Sequence, residues 1–434
     1  MDYLQEIRKA AADPRRLEEL YQYACQRGEA GRFKDDMAAA YEKQRNNLLY
    51  TAWYARFWPV APGPAVPRRG ANWPLAIALS LAAGLLLWLL SDGRLVLASG
   101  LQLFLLVWAP LEACFVAAYL ARSADRPLRP LLPWLLGLAA LTAVATLVCW
   151  QPGRLQYRVL AMMHVPVLAF GAVGLSVIGW HSQQADRFAF VHKAIEVFVT
   201  AGIFAGAVGA FAAVTMGLFE ALGVRVAESV MRLLLVGGLG TVPVLAVASS
   251  YDSQQSPREQ RAEGGLGRLV PTIMWVLLPF TLLVGAIYLL AIPFNFTGPF
   301  QNRDLLIVYN AMLFGVLALV VGATPVHAED LPQKYGRWLR TGVAVLAAMA
   351  IVVSVYALSA TVYRTLQGIP TPNRVTVIGW NAINIGILAV MLVQLLKRRE
   401  GEWIDAVHAA IGHGALVYIG WAALLVLLLP LMGM

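Results

Sequence analysis

The sequence predicts an all-α, polytopic transmembrane helix bundle of about eleven spans, carrying a small N-terminal cytoplasmic helical hairpin. Three observations predict it. The 434 residues are 59% hydrophobic and only 14% charged, with a mean hydropathy of +0.64, against roughly 45–50% apolar and 25% charged in soluble domains. Runs of about 20 nearly uncharged residues recur, each long enough at 1.5 Å per residue to cross a hydrocarbon core of about 30 Å. The period-two alternation of a membrane β-barrel is missing, so the runs are helices, whose backbone groups are satisfied within the segment.

The opening segment, residues 1–58, is polar and charged, unlike a signal peptide. In "ADPRRLEEL", Asp13 is placed as an N-cap and Pro14 at the first helical position, with Leu17, Leu20, Tyr21 and Ala24 on one face. Gly28 and Gly31 mark a break before a second amphipathic helix with Phe33, Met37, Tyr41 and Leu48. Such a hairpin cannot bury its own apolar face alone, so it is expected to pack on itself, on the membrane surface or on a protein partner. Residues 59–71 form a Pro-rich, stiff linker, and the membrane domain is 72–434.

The expected spans are 72–91, 96–120, 131–150, 159–180, 194–220, 229–249, 269–292, 305–323, 341–362, 373–396 and 413–432, with ends good to about 2–4 residues. Twenty-six of the 34 Lys and Arg fall in the N-terminal segment and on alternate connectors beginning with "RSADRPLRP"; eight fall on the others. The basic side is cytoplasmic. This places the N-terminus inside, the C-terminus on the periplasmic or extracellular side, and the chain in a bacterial inner membrane. The net charge of +9 is thereby read as orientation and not as nucleic-acid binding. Cys25, Cys114 and Cys149 are scattered, without disulfide or metal-ligand spacing, and neither cofactor nor metal is expected.

Function rests on polar residues inside the apolar runs, which are costly by roughly 2.5–3.5 kcal/mol when ionisable and mark candidate sites. Glu112 lies about 15 Å from the cytoplasmic edge, after Pro110; His164, Asn310, Asn381 and Asn384 lie about 9–15 Å below the outer edge. Asn381 and Asn384 share a helix face. Together the five form a candidate polar cavity, or else hydrogen-bonded contacts between helices worth about 0.6 kcal/mol each. On the outer side Arg364 and Arg374 stand against the charge bias and, with Asp304 as the expected partner of Arg374, form a candidate outer mouth. Thr371 and Pro372 are expected to start the tenth span. Glu196, close to His192 and Lys193, is expected in a shallow interfacial cluster. Gly202 and Gly206 have the spacing of a close helix approach, and prolines 110, 166, 243 and 279 that of bent or broken helices.

The stretches "LSATVYRTLQGIPTPNRVTVIGWN" and "DPRRLEELYQYACQRGEAGRF" resemble a family of bacterial polytopic membrane proteins known only as a domain of unknown function. The resemblance, strongest in spans nine and ten, implies a fold class and a bacterial inner-membrane address and carries no catalytic residue.

Two functional classes follow. One is a transporter or permeation protein for a small solute or ion, with Glu112 as the proton- or cation-coupling carboxylate and the two arginines attracting a small anionic solute. The other is a non-transporting assembly or sensory subunit docking a protein partner through residues 1–58. An intramembrane enzyme is the third and weakest, because one His and one Glu lack the nucleophile or ligand set that catalysis requires.

Overall fold

The computed structural model describes residues 2–27, 29–45, 47–57, 71–97, 100–151, 154–260, 266–301, 303–331, 333–368, 371–399 and 402–432, with side chains for all of these except 26, 266–268, 295, 303–307, 333 and 432. The chain divides into two compact units, Met1–Gly70 and Ala71–Met434. The linker 59–71 lies outside the described residues except for Ala71.

Among its described residues the N-terminal unit holds four helices, α1 (Tyr3–Lys9), α2 (Pro14–Gln26), α3 (Ala30–Lys43) and α4 (Leu48–Phe57). Asp13 caps α2, its carboxylate accepting from the amides of Arg15 and Arg16, with Pro14 at the first turn. The expected hairpin, α2 and α3, is thus the middle of a larger unit. Its apolar face, Leu17, Leu20, Ala24, Phe33 and Met37, is covered by Tyr3 and Ile7 of α1 and by Tyr50 and Trp53 of α4. Sequence periodicity does not separate α1 and α4, of seven and ten residues, because helices this short show too few turns to register. Leu48, expected on the apolar face of the second helix, starts α4 and is exposed instead.

The second unit is a polytopic membrane-spanning helix bundle. Among the described residues ten helices are long and apolar enough to cross a bilayer, and 308–323 adds a shorter apolar stretch. In order they are α5 (Trp73–Leu90), α6 (Phe104–Ser123), α7 (Leu132–Trp150), α8 (Leu155–Ile178), α9 (Gln184–Ala221), then a broken helix made of α10 (Glu228–Arg232), a π-turn (Leu233–Gly237), α11 (Gly238–Gly240) and α12 (Val242–Ser250). There follow α13 (Leu266–Ala291), the short α14 (Gly298–Gln301), α15 (Arg303–Ala323), α16 (Gln333–Leu366), α17 (Pro372–Lys397) and α18 (Trp403–Leu428).

Three expectations need correction. The second span begins at Phe104 and not near 96, because Val96 bridges Gln102 across a turn in which Gly100 takes φ 83°, a conformation glycine adopts without a Cβ clash. Gly202 and Gly206 do not seat a neighbouring helix: a Cβ at either meets nothing within 4 Å. The close approach belongs instead to Gly84, where a Cβ would lie 2.4 Å from the Gly237 carbonyl oxygen, and to Gly240, where it would lie 2.9 Å from Gly84 Cα. Of the four prolines, Pro110, Pro166 and Pro279 sit inside continuous helices, and only Pro243 adjoins a break.

Two large cores organise the bundle. One gathers α9, α13, α15, α16, α17 and α18 around Leu278, Leu313, Val343, Leu388 and Val407. The other joins α6, α7, α8 and α18 around Leu106, Ala145, Val165 and Ala422. Helix α18 enters both, so it lies between them.

Candidate functional site

Helix α17 starts where its sequence says it should. The Thr371 hydroxyl accepts from the Arg374 amide at 3.4 Å and Pro372 occupies the first turn. From that start the helix carries Trp380, Asn381 and Asn384 about 10–15 Å along its axis from Arg374. The Asn381 Nδ2 amide donates to Asn310 Oδ1 of α15 at 2.7 Å and to the Val377 carbonyl of its own helix at 3.0 Å. Asn384 is fully buried, and its Oδ1 accepts from the Tyr418 hydroxyl of α18. Its Nδ2 has no hydrogen-bond partner among the described residues.

His164 reaches the same place from α8. Trp380 Nε1 donates to His164 Nε2 at 2.9 Å, and His164 Nδ1 lies 2.6 Å from the Leu160 carbonyl. Since the indole is only a donor and the carbonyl only an acceptor, the two bonds assign a neutral ring with its proton on Nδ1. The two rings lie nearly parallel with centroids 5.8 Å apart. Phe314 and Tyr418 pack on the other sides of Trp380, at 5.6 and 5.1 Å. One turn along α18 from Tyr418, Trp421 lies against Gly379, where an added Cβ would meet Trp421 Cζ2 at 1.9 Å. Only glycine admits that indole. Trp421 Nε1 is a second buried donor without a partner among the described residues.

Four of the five expected cavity residues therefore come together: His164, Asn310, Asn381 and Asn384 meet between α8, α15, α17 and α18. What joins them is a mesh of hydrogen bonds and aromatic rings. Glu112 stands apart from that mesh on α6, which packs against α5, α7, α8 and α12; it is buried, and neither carboxylate oxygen has a hydrogen-bond partner among the described residues.

At the loop end of α17, a Cβ on Gly368 would lie 3.2 Å from the Arg374 guanidinium and 3.8 Å from the Arg364 carbonyl, so the Arg374 head group lies beside the turn that follows Arg364. Arg364 Nη1 is buried and unpartnered among the described residues. The Asp304 side chain, the expected partner of Arg374, lies outside the described residues. Glu196 pairs with the neighbour expected beside it: Lys193 donates to it at 2.7 Å, with side chains only 11% and 15% exposed.

No family model, curated protein or solved structure matches the chain. The site must be read from its own chemistry. Sequence reasoning missed Trp380, Tyr418, Trp421, Phe314 and Gly379, although one signal was present: buried Trp and Tyr carry a polar tip that needs a partner, and Trp380 and Tyr418 sit one helical turn or less from polar or glycine positions. The mesh between α8, α15, α17 and α18 contains no charged side chain and holds the two unused donors Asn384 Nδ2 and Trp421 Nε1; the charged Arg364, with Nη1 also unused, lies outside it toward the loop end of α16.

Proposed function

We propose that this integral membrane protein is a transporter or permeation protein for a small anionic solute, which passes between α8, α15, α17 and α18. The observation that supports this reading is the pair of buried donors without partners, Asn384 Nδ2 and Trp421 Nε1. A buried donor left unpaired costs about 1–3 kcal/mol. That cost is recovered when a solute presenting acceptor oxygens arrives. Arg364 and Arg374 at the loop end supply the attraction that concentrates an anion there. The orientation that goes with this reading puts the N-terminus in the cytoplasm and the arginines on the outer side of a bacterial inner membrane. Membership of the family with the "YRTLQGIPTPNR" motif is part of the same proposal.

The test is flux into proteoliposomes of inorganic phosphate, sulfate and small carboxylates. Replacing Asn384 by Leu removes one buried donor, and a lost bond of about 1.4 kcal/mol is a tenfold change. We expect uptake of the transported anion to fall about tenfold in N384L. Equal flux in wild type and N384L would remove the reading.

A second reading, an assembly or sensory subunit, is favoured by the separate core of the N-terminal unit, which needs no membrane helix to cover its apolar face. Deleting residues 1–58 separates the two: loss of co-purifying protein with membrane insertion intact supports docking, and unchanged flux supports transport.

A further inference from the structure

We propose that Glu112 is a proton-binding site, at the same level as Ser80 of the adjoining α5 and near the break between α10 and α12. Its role as the carrier of a coupled proton rests on the transport reading above; the proton itself does not.

The two side chains are placed together by helix register. Helices α5 and α6 are consecutive and each is long and apolar enough to cross the bilayer, so they run antiparallel. Ala76 of α5 packs in one cluster with Val116 and Tyr119 of α6 and with Val244 and Val247 of α12. One turn onward in α5 is Ser80, and one turn back in α6 is Glu112. In antiparallel helices those two steps move the same way by about 6 Å, so Ser80 and Glu112 occupy one level. A further turn along α5 is Gly84, against Gly237 and Gly240 of the broken helix.

Both groups are buried, Ser80 to 2% and Glu112 to 5% exposure. Ser80 Oγ and both Glu112 oxygens are without hydrogen-bond partners among the described residues. A serine in a helix ordinarily returns its hydroxyl to the carbonyl one turn back, as Thr142 does to Leu138. Ser80 does not, which leaves it for something across the interface.

Charge decides what that is. Helices α5 and α12 contain no ionisable side chain, α7 contributes only Cys149, and α8 contributes Tyr157, Arg158 and His164. Tyr157 is bonded to the Val426 carbonyl, Arg158 to that of Gln151, and His164 to Trp380. On α6 itself Arg122 is ten residues away, about 15 Å. An ionised carboxylate so placed is opposed by tens of kcal/mol in the Born limit. Three side-chain oxygens fall well short of the roughly six that a hard cation takes. A proton remains: the neutral acid carries no charge to compensate, and the Ser80 hydroxyl at the same level of α5 is an unused acceptor to which it can turn.

The adjoining helix is irregular at this level. It contains a π-turn, a feature that recurs at functional sites, and Pro243, which withdraws a backbone donor. Thr241 Oγ1 is bonded within the same turn, to the Gly238 carbonyl.

Infrared difference spectroscopy on the full-length protein in lipid nanodiscs, as a function of pH, tests the site without any flux. We expect a carboxylic-acid carbonyl band that bleaches as pH rises, is lost in E112Q, and shifts in frequency in S80A, which removes the acceptor to which the protonated acid turns. Should E112Q not fold, the S80A shift carries the assignment. A band that sodium removes at constant pH would overturn the proton in favour of a cation, and a band that never titrates, or none sensitive to either substitution, would overturn the site. A titrating band without solute flux sinks the transport reading alone; flux without the band sinks this one alone.

Discussion

Trp380 and His164 meet edge to edge: the indole N–H donates to the imidazole at 2.9 Å and the two rings lie 20° from parallel. They come from helices more than 200 residues apart in sequence, so this one contact ties α8 to α17. In W380F the ring area is largely kept and the donor is lost. His164 Nε2 is then a buried acceptor without a partner, and we expect about 1–3 kcal/mol of destabilisation, measured by thermal unfolding in detergent. Adding H164A should cost less in the W380F background than in wild type. Strict additivity of the two changes would mean that the bond contributes nothing.

Glycine 379 offers a steric test. An alanine there drives a methyl into Trp421, whereas an alanine at Gly386, on the same helix, meets nothing within 4 Å. G379A should lose about 1–3 kcal/mol through overpacking, and G386A should be neutral or gain up to about 1 kcal/mol from helix propensity. Indistinguishable melting temperatures would place the Trp421 ring elsewhere.

The Asn381 to Asn310 bond is a test of how much polar contacts contribute in this bundle. Its coupling energy in a cycle of N310A, N381A and the double variant is expected near 0.6 kcal/mol and below about 1.7 kcal/mol, the span found for side-chain bonds between membrane helices. A larger value would mean that the amide pair anchors the α15–α17 contact.

In the N-terminal unit, Tyr3 donates to Glu29 Oε2 at 2.7 Å. That bond holds the Glu29 carboxyl below the usual carboxylate range and raises the Tyr3 phenol. A lowered carboxylate stabilises the fold above its unfolded pKa and gives that up as pH falls through the folded one; a raised phenol stabilises below its unfolded pKa and gives that up as pH rises through the folded one. Hydrogen-exchange protection of α1–α3 in the intact protein, taken relative to the intrinsic exchange rate at each pH, should therefore fall below about pH 4 and above about pH 10. In Y3F the acid limb should flatten. An unchanged acid limb would assign it to other carboxylates, with Glu18, held low by its bond to Arg56, the foremost.

How much of this was legible follows from range. The spans were legible because about 20 apolar residues are a local signal, and so were the Asp13 and Thr371 caps, whose partners lie two or three positions away. The convergence of His164, Asn310, Asn381 and Asn384 was suggested by depth alone, since residues at one level in a bilayer have few places to go. Which aromatic would join them was not legible: Trp380 and Trp421 look like any membrane-helix tryptophan until α8 and α18 are brought beside α17. For the same reason Gly202 and Gly206 misled, because spacing shows that a groove exists and not that a helix lies in it.

Helix α9 runs for 38 residues and leaves only 11% of its apolar window covered by protein. At 1.5 Å per residue it is about 57 Å long, nearly twice a hydrocarbon slab. Such a rod stands straighter in long-chain lipids and reclines in short-chain ones, and because α18 leans on it, the girth of the surrounding membrane is conveyed to the element shared by both cores.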